Sequence, residues 1–483
     1  MNKAFKIVYS AIFFAVCAAP LAMLPFVKSN AEIEKKELAE MPSYIKDGSL
    51  NTDFSVQFEE WFNDRIPLRS EILSAANFVK GQILGTSSSN VISGRDGWLF
   101  YDNEKLDYMD TNAMSDARIR QAAITLSLIE EQVKAKGGRF TFVPMPNKAS
   151  VYGEYMPFCY RQADENNLSR LCKELDRLGV NYTNMKKVMT DNKKLGVYHK
   201  RDSHWNYLGA LIGYNAIMES LGAPHKSYSN CEYTVTKTWR GDLDKLLYPA
   251  GGFLDNQYYL DIEYDPFTFV TPAGVKDPPA QLELFMSDKE EGDDRFTIRS
   301  KGGPKDSKLY MARDSFGRAL LPLMMDNYAQ STFERTDCPE ISTLADGTDV
   351  VYEIVERNLK NLVSTAPYMY APKRTDITSQ FVAEDGSMSV SFSNEGYGCR
   401  IFGVFSDNAD LGDGRVYVTL TGQNGSFTYE AFPIYDTKLL EGEDHNGFSM
   451  LIDPSEGLSG EYKLTVTCNN IDYNGDTVNI VKK

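Results

Sequence analysis

Between residues 115 and 145 the chain changes period, and the change recurs. "SDARIRQAAITLSLIEEQVKA" carries apolar residues at helical spacing and stops at Gly137-Gly138; "RFTFVPM" then runs apolar without a break, as a strand buried on both faces does. A second helical stretch ends before Gly179 and "VNYTNM" reads as strand. Further on, "KLYMARDSFGRALLPLMMDNYA" reads as strand, sharp junction and helix, and "TDVVYEIVERNL" as strand then helix. This alternation predicts an α/β domain, a parallel sheet covered by helices.

Residues 226–300 break the rhythm with Tyr/Thr-rich strands, Pro and Gly, and read as a β-containing insertion in which "SDKEEGDDR" is a solvated loop. From about 375 no helical spacing survives. "CRIFGVFS", "RVYVTLTG", "SFTYEAF" and "YKLTVTCNN" are short strands between Gly/Asn/Asp turns, which predicts a C-terminal β-sandwich domain over 375–483. A chain of 483 residues accommodates both units. The expected plan is a membrane anchor or signal segment at 1–30, a stalk at 31–60, a catalytic domain at 61–372 and the sandwich.

The terminal assignment rests on Lys3 and Lys6 followed by "IVYSAIFFAVCAAPLAMLPFV", an apolar run long enough to cross the ~30 Å hydrocarbon layer as a helix. Positive charge before it and acidic "AEIEKKELAE" after it place the downstream chain outside the cytoplasm, as a single-pass cell-membrane protein with an extracytoplasmic catalytic domain. "SNA" at 29–31 offers a cleavage site, in which case the protein is secreted. A formal charge of -16 with no concentrated basic face argues against nucleic acid as a partner. Of seven cysteines, six lie outside the apolar run; 159–172, 231–338 and 399–468 is the simplest disulfide pairing.

Two segments carry chemistry. In "RDSHW" an extended backbone turns Asp202 and His204 the same way, so the carboxylate accepts from Nδ1 and leaves Nε2 as a general base. Ser315, between a strand and a helix, lies where open α/β sheets place their chemistry, beside the N–H groups of a helical turn. The same letters also fit a helix N-cap at Ser315 and a capping or core histidine at His204. His199, Asp202 and His204 form a weaker metal-ligand reading, without HExxH-type spacing.

"GRDGWLF" at 94–100, "VPMPNKASVY" at 143–152, "RDSHW" at 201–205 and "RDSFG" at 313–317, with the stalk motifs "EKKELAEMPSY" and "WFNDRIPLR", resemble in this order the DHHW branch of the SGNH hydrolase-like proteins, related to the alginate O-acetyltransferases. The resemblance implies a permuted SGNH-like three-layer fold, with Ser315 as nucleophile, His204 as base and then acid, and Asp202 as its orienting acid. Phe316 and Asn147 stand where oxyanion donors are expected, and Lys148, Tyr152 and Arg313 where substrate is. The implied activity is O-acetyl transfer to hydroxyls of an extracellular or cell-wall polysaccharide through an acetyl-serine, without metal or cofactor. A membrane-bound O-acyltransferase is the implied acetyl donor. A carbohydrate acetylesterase with the same triad and a non-catalytic polysaccharide-binding surface protein are the alternatives.

Overall fold

The computed structural model describes residues 7–11, 13–14, 18, 22–23, 39–46, 48–80, 90–271, 274–276, 295–364, 366–384, 386–395, 397–406, 409, 411–435 and 446–481. Most of the segment read as an anchor or signal, residues 31–38 of the stalk, His445 and nearly all of "SDKEEGDDR" lie outside them. The single-pass membrane anchor is corrected: no described helix is long and apolar enough to cross a membrane.

Beyond two helices at Phe54–Arg65 and Arg69–Phe78, the helices around the sheet and the site are α1 (Asp116–Ala135), α2 (Asn167–Leu178), α3 (Met185–Asn192), α4 (Tyr207–Leu221) and α5 (Asp242–Leu247), besides shorter turns. Side chains cap their starts: Ser115 accepts from the Arg118 N–H, Asn166 from Ser169 and Asn206 from Gly209. Gly179 ends α2 at φ 70°, a left-handed conformation that glycine adopts without cost.

Beyond the two small hairpins Ile45–Lys46/Ser49–Leu50 and Val91–Ser93/Leu99–Tyr101, the strands up to residue 355 are β1 (Phe140–Met145), β2 (Tyr233–Trp239), β3 (Asp255–Leu260), β4 (Phe267–Thr271), β5 (Gly274–Lys276), β6 (Arg295–Ser300), β7 (Lys308–Arg313), β8 (Gln330–Arg335) and β9 (Thr348–Val355). The central sheet runs β1-β9-β7-β8-β6-β4-β5. The first four strands are parallel and the rest antiparallel, so the expected parallel sheet is mixed. Strands β4, β5 and β6 come from the stretch read as an insertion and extend the main sheet, whereas β2 and β3 pair only with each other. "VNYTNM" forms no strand and contributes one bridge, Phe142 to Tyr182.

Alternation along the strands divides the core. Val143, Met145, Leu309, Met311 and Val351 face one side with Ala210, Tyr214 and Ile217 of α4. Phe140, Phe142, Tyr310, Val350 and Tyr352 face the other with Ile129 of α1 and Leu171 of α2.

The C-terminal strands are β10 (Met388–Glu395), β11 (Gly398–Phe405), β12 (Val416–Gly422), β13 (Gly425–Tyr435), β14 (Asn446–Ile452), β15 (Gly460–Cys468) and β16 (Ile471–Ile480). The expectation was a β-sandwich over 375–483. The structure has one nine-stranded sheet, in which Phe381–Val382 begins a path of eight strands and Lys373–Arg374 pairs beside β13, because β13 pairs with β12 through its first seven residues and with β14 through its last four. This unit docks on α1 through Gln121–Asn446 and Arg374–Glu131. The three disulfides do not form, and the six cysteines stand as thiols. The Cys338 Sγ donates to the Ala366 carbonyl and the Cys231 Sγ to that of Glu232, while Cys159 is exposed in a loop and Cys172 lies on α2.

Candidate active site

Ser315 follows β7, in the middle of the parallel strands, and the turn carrying it is tied down by carboxyl groups. The Glu353 Oε2 accepts from the Asp314 and Gly317 N–H groups at 3.0 and 3.1 Å. The Asp314 carboxylate accepts from Phe316 and Val355, both at 2.8 Å. Chain polarity and these four bonds bring the Ser315 hydroxyl out at the carboxyl edge of the sheet.

His204 arrives from the loop ahead of α4. That loop folds back on itself through Asn206 N–H to Val197 carbonyl and His199 N–H to His204 carbonyl bonds, 3.1 and 3.3 Å. The buried Lys148 ammonium holds it from within, donating to the carbonyls of His199 and Lys200 at 3.2 Å and of Asp202 at 2.5 Å. The Trp205 indole N–H donates to the Phe316 carbonyl at 3.0 Å, and the Phe316 ring lies 4.9 Å from the imidazole. At Gly241 a Cβ would lie 2.1 Å from the Arg201 carbonyl, so only glycine lets the β2–α5 turn approach so closely.

Three side chains from these two segments form one hydrogen-bonded chain. His204 Nδ1 lies 2.8 Å from Asp202 Oδ1, and Nε2 lies 2.9 Å from Ser315 Oγ. With the proton on Nδ1 donated to the carboxylate, Nε2 is an acceptor for the serine hydroxyl. Asp202 Oδ2 accepts from the Trp239 indole and the Asp242 N–H, each at 3.0 Å. Burial alone would raise Asp202, but His204, His199 and the Asp242 N–H together hold it well below the usual carboxylate range. Burial likewise opposes charge on His204, yet Asp202 and Asp242 raise its pKa above the ordinary imidazole value, with Arg357 acting the other way.

Asp202, His204 and Asp242 also place donor atoms within 4.8 Å of one another, the one such metal-compatible group among the described residues. His199 is not part of it. Its Nδ1 meets the Asn256 carbonyl at 3.0 Å and its ring stacks on Trp239 at 5.0 Å, which corrects the metal-ligand trio read from the letters.

The remaining expected site residues lie behind the site. Phe316 is fully buried and its N–H is taken by Asp314, so it is not an open oxyanion donor. Asn147 donates its side-chain amide to Asp107 at 3.0 Å and its N–H to Glu356 at 2.8 Å. Tyr152 spends its hydroxyl between the Lys193 carbonyl and the Val197 N–H. Lys148 and Arg313 are both 0% exposed, which excludes them as substrate contacts. Sequence reasoning missed Trp239, Asp242 and Arg357. The first two lie in a stretch read only as insertion, and Arg357 in "EIVERNL", read only as strand and helix; a polar or charged residue just past a central strand was the available signal for Arg357.

Residues 91–277 match the family described as "SGNH hydrolase-like domain, acetyltransferase AlgX". The match includes Asp202 and His204 and ends before Ser315, so the serine stands on geometry. Among solved structures, a DHHW family protein from Eubacterium siraeum is 18% identical over 56% of this chain and 93% of that one, with a TM-score of 0.42. The O-acetyltransferase domain of Pseudomonas putida AlgJ is 19% identical over 56% and 92%, with a TM-score of 0.38. Bacillus cereus PatB1 is 16% identical over 56% and 96%, with a TM-score of 0.44. Likenesses this distant say nothing of activity. No curated protein matches the chain.

Proposed function

Residues 91–277 match the model of an SGNH hydrolase-like domain of the AlgX acetyltransferase kind, and on that premise we propose that this protein is a polysaccharide O-acetyltransferase working through an acetyl-Ser315 intermediate. The observation that carries the proposal is the continuous chain Asp202–His204–Ser315, with contacts of 2.8 and 2.9 Å. Serine is a weak nucleophile until a base takes its proton, and a neutral imidazole at bonding distance supplies that base.

In the first half-reaction Ser315 Oγ bonds to the acetyl carbonyl carbon as its proton passes to His204 Nε2. The tetrahedral intermediate collapses, the donor's oxygen leaves, and His204 returns the proton to it. In the second half a sugar hydroxyl attacks the acetyl-serine, gives its proton to His204, and departs as the ester while Ser315 recovers that proton. Asp202 stays ionised, fixing the tautomer and offsetting the imidazolium charge in each half. By analogy with the family, the donor upstream is a membrane-bound O-acyltransferase.

One observation favours a second reading, hydrolysis. The His204 side chain is 28% exposed, so water has a route to the acyl-enzyme. Acetate release from an activated acetyl ester, followed with and without acceptor glycan, separates the two. A transferase loses free acetate to glycan ester as acceptor rises; an esterase releases acetate at an unchanged rate. Both activities disappear in Ser315→Ala.

A further inference from the structure

A tetrahedral intermediate on Ser315 places a full negative charge on the former carbonyl oxygen, and that charge needs donors already in position. The donors nearest in sequence are committed. The Phe316 N–H is held by Asp314, the Gly317 and Asp314 N–H groups by Glu353, and the Asn147 amide by Asp107. Among the described residues, no hydrogen bond engages the Ser315 N–H. One donor is too few for the task.

Arg357 stands where the second is needed. It comes two residues after the end of β9, the strand parallel to β7, and the Val355–Asp314 bond ties the two strand ends together. Its guanidinium carbon is 5.6 Å from the centre of the Phe316 ring, the ring that also packs on His204. Tyr101 lies at 5.6 Å, and the Asn147 Oδ1 accepts from Nη1 at a long 3.4 Å. No carboxylate among the described residues forms an ion pair with it, although Glu104, Asp107 and Glu356 are packed nearby. A half-buried guanidinium on the ring next to the nucleophile, held in orientation by that ring and an amide and in no ion pair among the described residues, is a candidate anion site.

Resting on the acyl-transfer reading above, we propose that Arg357 and the Ser315 N–H together form the oxyanion site, making Arg357 a catalytic residue. Ordinary backbone donors are replaced because the carboxyl groups that hold the nucleophile's turn occupy them.

The test follows acetyl-Ser315 formation from p-nitrophenyl acetate in the full chain. Arg357→Ala is expected to slow it by about 10²–10³-fold, the cost of losing one oxyanion donor, with Arg357→Lys between the two and added guanidinium restoring part of the loss to the alanine variant. A structural role would not be rescued by guanidinium. A rate within about threefold of the parent, or a loss that guanidinium leaves untouched, overturns the proposal. A turnover-independent arm uses acetate, whose carboxylate imitates the oxyanion, as the probe for Ser315→Ala by NMR. Binding lost on adding Arg357→Ala supports the anion site even if the parent forms no adduct, in which case acyl transfer fails on its own. Acetate bound equally by both variants overturns Arg357.

Discussion

His204 and Ser315 are 111 positions apart, yet their Nε2 and Oγ atoms lie 2.9 Å from each other. The approach is built from both sides: Lys148, Trp205 and Gly241 seat the histidine loop, while Glu353 and Asp314 seat the serine turn. Each support makes a separate, measurable demand.

The charges around His204 set its pH profile. The base must be neutral, and because Asp202 and Asp242 outweigh both burial and Arg357, kcat/KM is expected to fall on the acid side from a point above the ordinary imidazole value near 6.5. His199 faces Asp202, and Lys148 faces both Asp202 and Asp242, from their own segments, and both stay unchanged in the test. Asp242→Asn removes a negative charge and moves the limb to lower pH; Arg357→Ala removes a positive one and moves it higher. Imidazole NMR titrations of the two variants check the directions, and shifts of the same sign contradict the assignment.

Glu353 is expected to be a neutral acid in the folded protein, since burial and the adjacent Asp314 charge drive its pKa far up. Glu353→Gln keeps an oxygen for both N–H groups and should cost under about 1 kcal/mol at pH 7, whereas Glu353→Ala leaves two buried donors unpaired and should cost about 2–4 kcal/mol. A raised folded pKa contributes stability below the unfolded value and loses it as pH climbs through the folded one. Urea unfolding at several pH values should therefore show a flatter profile for Glu353→Gln than for the parent.

Lys148 donates to three carbonyls and has no exposed surface. Lys148→Met strips a buried donor from all three, with an expected loss of about 3 kcal/mol or more by urea unfolding and slower Ser315 acylation. A stability change below about 1 kcal/mol would show that the loop holds itself.

Much of this arrangement was legible in the letters, and the illegible part has a common cause. Helical spacing and the stop at Gly137-Gly138 marked α1, and the strand-like runs of "RFTFVPM" and "TDVVYEIV" marked β1 and β9, because those signals are local. Asp202, His204 and Ser315 were candidates by spacing and by position at a strand end, and the family resemblance gave them their roles. What failed was whatever depends on a distant partner. Lys148 and Tyr152 look like polar surface until their carbonyl partners are known. Trp239 becomes part of the site only through a bond to Asp202, 37 positions away. Phe316 fails as an oxyanion donor because Asp314, two residues earlier, folds back onto it, a turn that helix spacing does not reveal. The antiparallel strands β4, β5 and β6 carried no mark that they would join the central sheet instead of forming their own.

The cysteines give a chemical check on the fold. Cys159 is exposed and should alkylate in the native state, whereas burial pushes the Cys172 thiol up to about 12 and the Cys399 thiol up to about 11. Both should resist iodoacetamide at pH 8 until the protein unfolds, because the thiolate is the reactive form. Peptide mass spectrometry reads the order of labelling, and added reductant should leave the urea midpoint unchanged. A midpoint that falls with reductant would mean that a disulfide is present.

The most direct measurement is the intact mass of the protein after brief exposure to p-nitrophenyl acetate, followed by peptide mapping. The account predicts a gain of about 42 Da, one acetyl group, located on Ser315 and missing from both Ser315→Ala and His204→Ala. An acetyl group found on another residue, or formed at full rate without His204, would contradict it.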